Sequence, residues 1–175
     1  MEFETKIISR QIGDLLYASG YTLGTAESCT GGLISEAIVA TPGASNYFKG
    51  SVVSYTNEIK ERLLNVSHEL LEEKTAVCEE VACQMARGAM DILNVDFAIT
   101  STGIAGPSGG TKDNPVGTIW IAYGDREEIR TLKLTENYGR DINIAIATNK
   151  ALRLMLNFLE EKLPKELPET NENRW

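Results

Sequence analysis

Tyr21-Thr22-Leu23-Gly24-Thr25-Ala26 runs directly into Glu27-Ser28-Cys29-Thr30-Gly31-Gly32, and a helical stretch follows from Leu33 to Ala40 until Thr41-Pro42-Gly43 breaks it. The first segment reads as a strand, the second as a tight passage into a helix. Such a passage leaves the N–H groups of the first helical turn without partners, so they can stabilise an anion. The glycines let a ligand or another backbone come close. Spacing alone favours a simpler role for Ser28 or Thr30, that of capping the helix. Cys29 also admits two readings: a thiol made acidic by a helix start, or a small buried hydrophobe.

Working outward, apolar residues at Phe3, Ile7, Ile8, Ile12, Leu15 and Leu16 predict an amphipathic helix that Gly20 stops. Ser51–Tyr55 predicts a second strand. Asn57 is the expected N-cap of a helix through Leu64, and Ser67 that of a short helix through Glu73. A longer helix from Glu79 to Leu93 carries Val81, Met85, Ala89 and Ile92 on one stripe. Val95–Thr102 predicts a buried strand. Gly117–Tyr123 and Ile129–Thr135, joined at Gly124-Asp125, predict an antiparallel hairpin. Asp141 to Lys162 forms the last helix. This order implies an α/β fold: a single three-layer α/β/α sandwich over residues 1–162, with a mixed sheet of about five strands. Residues 163–175, rich in charge and carrying two prolines, are expected to be a flexible tail.

Composition narrows the function. The 175 residues, 42% hydrophobic and 24% charged, suit one compact domain and not a disordered or fibrous chain. No apolar run reaches the roughly 18 residues of a membrane span, and the N-terminus lacks the order of a secretory signal. Seventeen Lys and Arg against 25 Asp and Glu give a net charge of −8. No nucleic-acid backbone is therefore expected as the main partner. Cys29, Cys78 and Cys83 lack CxxC spacing and no His cluster joins them, so no metal is expected. Free thiols fit a cytoplasmic location. His68, the only histidine, sits in a polar stretch and is expected to be a solvated surface residue.

Two further stretches carry chemistry. In Tyr55-Thr56-Asn57-Glu58-Ile59-Lys60 the lysine falls near the positive end of a helix dipole, which disfavours its charged form. Partial burial would lower its pKa further, from about 10.4 toward that of a useful base. Standing between Glu58 and Glu61, Lys60 also reads as an exposed helix lysine, the better reading from this stretch alone. Gly103-Ile104-Ala105-Gly106-Pro107-Ser108-Gly109-Gly110-Thr111 follows a strand but matches neither the Walker A nor the Rossmann pattern. A backbone nest for phosphate or a carbonyl oxygen and a wide surface loop fit it equally. Arg140, ahead of the last helix, suits a phosphate clamp or a surface charge.

Taken together, Thr25–Gly32, Gly50 with Tyr55-Thr56-Asn57 and Lys60, Ala76-Val77, Thr102–Pro107 with Gly109-Gly110, and Pro115-Val116-Gly117-Thr118 make the chain resemble the C-terminal domain of competence-damage-inducible protein A and the stand-alone nicotinamide mononucleotide deamidases. The match runs in order from about residue 5 to residue 155. The additional N-terminal domain of that family does not occur in these residues, so the stand-alone form is the expectation.

The resemblance implies hydrolysis of nicotinamide mononucleotide to nicotinate mononucleotide and ammonia, without metal or cofactor. Ser28 is then the expected nucleophile and neutral Lys60 the general base. Tyr55 relays a proton or fixes Lys60, and Glu27 orients the site or holds a ribose hydroxyl. N–H groups near Thr30, Gly31 and Gly32, or in the loop after Thr102 (Gly103 to Gly106), would receive the oxyanion. The 5′-phosphate would lie at a glycine nest that includes Gly109 and Gly110, with Arg140 as counter-charge. A homo-oligomer is expected. Two departures stand out. Asp is missing before Arg140 and Ile144 occupies the place of a second Arg, and Cys78 stands where a capping serine is usual. The first motivates an alternative, a catalytically silent nucleotide-binding or interaction module. A third reading makes Cys29 the nucleophile.

Overall fold

The computed structural model describes residues 3–164. The predicted tail therefore lies outside the described residues except at its first two positions, and one of these corrects the expectation: Leu163 is buried in the main core.

Five strands form one sheet in the order β2-β1-β3-β4-β5: β1 Leu23–Glu27, β2 Phe48–Val53, β3 Phe97–Gly103, β4 Ile119–Gly124 and β5 Ile129–Leu134. β1 pairs in parallel with β2 and β3, while β3–β4 and β4–β5 are antiparallel. The helices are α1 Phe3–Ser19, α2 Leu33–Val39, α3 Asn57–Leu64, α4 His68–Lys74, α5 Glu79–Leu93 and α6 Arg140–Lys162. The predicted mixed-sheet sandwich is the fold.

Alternation along the strands assigns the layers. Leu23, Phe97, Ile99, Ile121 and Tyr123 face α1, α2 and α6, whose Ile12, Leu16, Ile38, Met155 and Phe158 complete that core. The opposite face presents Ala26, Val52, Ala98 and Ala122 to Val81, Met85 and Ala89 of α5 and Leu64 of α3. Small strand residues on that face let α5 lie close to the sheet. The approach of α3 to α5 is closer still: a Cβ at Gly88 would stand 2.1 Å from the Leu64 carbonyl oxygen.

Local boundaries differ from the sequence reading in physically simple ways. Thr56, not Asn57, caps α3; its side chain accepts from Ile59 N at 3.4 Å and its backbone is extended. Both residue types cap helices, and the backbone conformation decides between them. On α5 the buried stripe is Val81, Ala82, Met85, Ala86, Ala89 and Met90, and Ile92 is 49% exposed. The second strand begins at Phe48 and stops before Tyr55.

Candidate active site

The carboxyl ends of parallel strands are where open α/β sheets hold ligands, and here two serines hang from the last rungs of β1 and β2. Glu27 pairs with Val53. Just beyond, Ser28 N donates to the Ser101 carbonyl at 2.9 Å, and Ser54 N to the Glu27 carbonyl at 2.8 Å. The sheet therefore fixes both positions. From α3 the Lys60 side chain reaches between them, its Nζ 3.1 Å from Ser28 Oγ and 2.7 Å from the Ser54 carbonyl oxygen. Lys60 is 1% exposed. The surface-lysine reading is thereby overturned.

Burial pushes the Lys60 pKa down to about 8, with the Cys29 sulfur acting in the opposite direction. Counting hydrogens gives the same answer. An ammonium would bring three donors to two acceptors, whereas a neutral amine donates to the Ser54 carbonyl and offers its lone pair to the Ser28 hydroxyl. The pair is thus built for proton transfer between oxygen and nitrogen.

Glu27 has a different task from holding a ribose hydroxyl. Its carboxylate is fully buried and accepts from Gly32 N at 3.0 Å, Ile34 N at 3.1 Å, Ser35 N at 2.8 Å and Thr30 Oγ1 at 2.7 Å. It supplies the cap of α2 from outside the helix; the formal N-cap, Gly32, has no side chain to do so. Thr30 joins Ser101 at 2.6 Å. Ser28 and Thr30 are therefore not the helix cap, which leaves the Ser28 hydroxyl to Lys60. The amides of Gly31 and Gly32 are taken by the Ser28 carbonyl and by Glu27, which removes them as oxyanion donors.

The other predicted residues divide. Arg140 donates to the Gly106 carbonyl at 2.8 Å and to the Tyr55 hydroxyl at 3.0 Å. It links the glycine loop to the segment that carries Ser54. Tyr55 is 58% exposed and its hydroxyl turns to Arg140; the group that holds Lys60 is the Ser54 carbonyl. Thr102 Oγ1 donates to the Ala76 carbonyl at 2.8 Å. Gly103 serves packing, because a Cβ there would lie 2.5 Å from the Thr118 carbonyl oxygen. Gly109 and Gly110 are exposed. Burial pushes the Cys29 thiol up to about 11, so it stays protonated and is a poor nucleophile. Ile144 packs on the small cluster of Cys29, Ala105, Ile119 and Ala147. Cys78 heads α5 without a side-chain cap. His68 is exposed and bonded to Glu61.

Asn143, which the sequence did not single out, is 3% exposed. Its Nδ2 donates to the Ala105 carbonyl and to Asn137 Oδ1, each at 3.0 Å, and its Oδ1 accepts from Tyr138 N at 2.8 Å. A polar residue at the first turn of a helix next to a glycine loop was the available signal.

Residues 5–159 match the CinA C-terminal domain. The chain belongs to the CinA C-terminal domain family. Among its relatives, a CinA-like protein of Cytophaga hutchinsonii is 40% identical over 159 residues, covering 91% of this chain and 38% of the relative. Another, from Fervidobacterium nodosum, is 53% identical over 131 residues, covering 67% of this chain and 32% of the relative. The chain thus spans about a third of the length of these curated relatives. Of the solved structures, the competence/damage inducible protein CihA of Agrobacterium tumefaciens superposes with a TM-score of 0.86 at 33% identity, covering 89% of this chain and 95% of that one. The competence damage-inducible protein A of Klebsiella pneumoniae gives 0.86 at 31% identity over 90% and 98%. Among the described residues no helix is long and apolar enough to cross a membrane, and no group of three His, Cys, Asp or Glu is placed to hold a metal.

Proposed function

We propose that this CinA-family chain is an amidohydrolase that converts nicotinamide mononucleotide to nicotinate mononucleotide and ammonia. The observation that carries the reading is the buried 3.1 Å contact between Ser28 Oγ and an amine whose pKa is lowered to about 8. A hydroxyl is a weak nucleophile until a base at hydrogen-bond distance takes its proton. Ser28 Oγ attacks the carboxamide carbon as its proton passes to Lys60 Nζ. The tetrahedral intermediate collapses, and Lys60 returns the proton to the departing ammonia. Water then cleaves the acyl-Ser28 ester, with Lys60 taking its proton and restoring the Ser28 hydroxyl. Arg140, at the glycine loop, supplies positive charge for the 5′-phosphate.

Ammonia release from nicotinamide mononucleotide tests this directly. Turnover is expected, with a loss of roughly 10⁴-fold or more on Ser28→Ala; no turnover, or turnover indifferent to that substitution, overturns it. One observation favours the second reading, a silent nucleotide-binding module: Arg140 already spends two donors within the protein. Calorimetry showing nucleotide binding without ammonia release would select it.

A further inference from the structure

The first turn of α6 holds two successive carbonyls of the glycine loop. Asn143 Nδ2 binds the Ala105 oxygen at 3.0 Å, and Arg140 Nη1 binds the Gly106 oxygen at 2.8 Å. The Ala105–Gly106 peptide is trans, so its C=O and N–H point in opposite directions in one plane. With the Ala105 oxygen turned to α6, the Gly106 N–H points away from α6. Gly106 is buried, yet among the described residues its N–H has no acceptor, and buried amides are seldom left in that state. The loop flanks the catalytic pair: Ala105 shares a small buried cluster with Cys29, next to Ser28, and Arg140 ties Gly106 to Tyr55, next to Ser54.

We infer that Asn143 is a positioning residue whose grip on the Ala105 carbonyl aims the Gly106 N–H into the Ser28 crevice as an oxyanion donor. The site requires glycine at 106 for a separate reason, since φ is +94° and a Cβ would stand 2.5 Å from Val116 Cγ1. The inference rests on the Ser28 reading above, but not on the identity of the substrate.

The test uses the full chain and a small fluorophosphonate, which reacts with activated serines whatever their natural substrate. Ser28 Oγ forms a P–O bond, the P–F bond breaks, fluoride leaves and the serine proton goes to Lys60. The phosphoryl oxygen that the reagent brings occupies the oxyanion position in the adduct. Intact mass after timed labelling gives the rate, with Ser28→Ala as the control. In Asn143→Asp the side chain keeps its size but has no N–H for the Ala105 carbonyl. Labelling is expected to slow by about 100- to 1000-fold, the usual effect of losing one oxyanion donor. In the amidase assay kcat falls by a similar factor while KM stays nearly constant. Labelling at the wild-type rate, or a wild type whose Ser28 does not label, overturns the inference. Labelling that depends on Asn143 without ammonia release upholds it and discards the nucleotide substrate instead. Should Asn143→Asp fail to fold, the wild type decides through its Gly106 amide proton. That proton moves downfield on phosphonylation if the donor is correctly assigned, and stays in place if it is not.

Discussion

The start of α2 and the start of α3 each bury one ionisable side chain at the same end of the sheet, and they treat it in opposite ways. Around Glu27 the protein gathers donors from three backbone amides and the Thr30 hydroxyl. Around Lys60 it supplies only a hydroxyl and a carbonyl. A buried charge that is fully hydrogen-bonded fixes a structure, whereas a buried charge short of partners gives up its proton. The first region builds the turn on which Ser28 sits; the second supplies the proposed base.

Replacing Lys60 should break the contrast most severely. Lys60→Met is expected to cut kcat by roughly 10⁴-fold while leaving the protein at least as stable as wild type near neutral pH, because an apolar side chain suits that pocket better than an ammonium. Steady-state kinetics and urea unfolding on the same preparation check both halves. A Lys60→Met protein that is both inactive and badly destabilised would mean that the amine also serves as a structural tie.

The pH dependence sharpens the same point. The folded Lys60 holds its proton less tightly than the unfolded one, at about 8 against 10.5. Between these values the unfolded chain binds more protons, so this residue's contribution to stability rises with pH across that window. It is unfavourable below about pH 8 and is relieved toward pH 10.5. The full difference is about 3 kcal/mol. It should emerge from unfolding free energies as a stability advantage of Lys60→Met that shrinks by that amount through the window. Over the same lower limb kcat/KM should climb with an apparent pKa near 8, since the free amine is the active form.

Glu27→Gln tests the other region. The amide still accepts, but it brings two N–H groups into a pocket already full of donors. A stability loss of about 1–3 kcal/mol is expected, read by denaturant midpoint, with activity reduced through disorder at Ser28. The smallest effect belongs to Tyr55→Phe. Its hydroxyl meets Arg140 and not Lys60, so kcat/KM should change by less than about tenfold. A much larger loss would restore Tyr55 to proton transfer.

Much of this was legible in the residues, and the exceptions have identifiable causes. Ser28 and Lys60 were readable as a pair only through several motifs in register, because a separation of 32 positions along the chain hides their meeting and each alone suggested a cap or a surface charge. Glu27 at a strand end gives no hint that three amides of the next helix will fold back on it. Asn143 offered only a weak signal, a polar residue in the first turn of a helix, because the Ala105 carbonyl that it holds lies 38 positions away along the chain. Ile92 continued the helical spacing but lies at the margin of a stripe that tilts toward Ala86 and Met90. Periodicity identifies a face and not its edge. The mixed sheet, its closing hairpin and the three-layer sandwich, by contrast, followed from the chain order of the elements and the turn residues.

Gly88 extends the reach of the proposed catalytic pair well outside the crevice. With no room for even a methyl between it and the Leu64 carbonyl, it sets the spacing at which α3 rests on α5, and α3 carries Lys60. Any side chain at position 88 acts as a wedge, levering the amine away from its hydroxyl through a rigid helix. A screen for inactive alleles would return hits at this inconspicuous position, in proteins whose crevice residues are all unaltered.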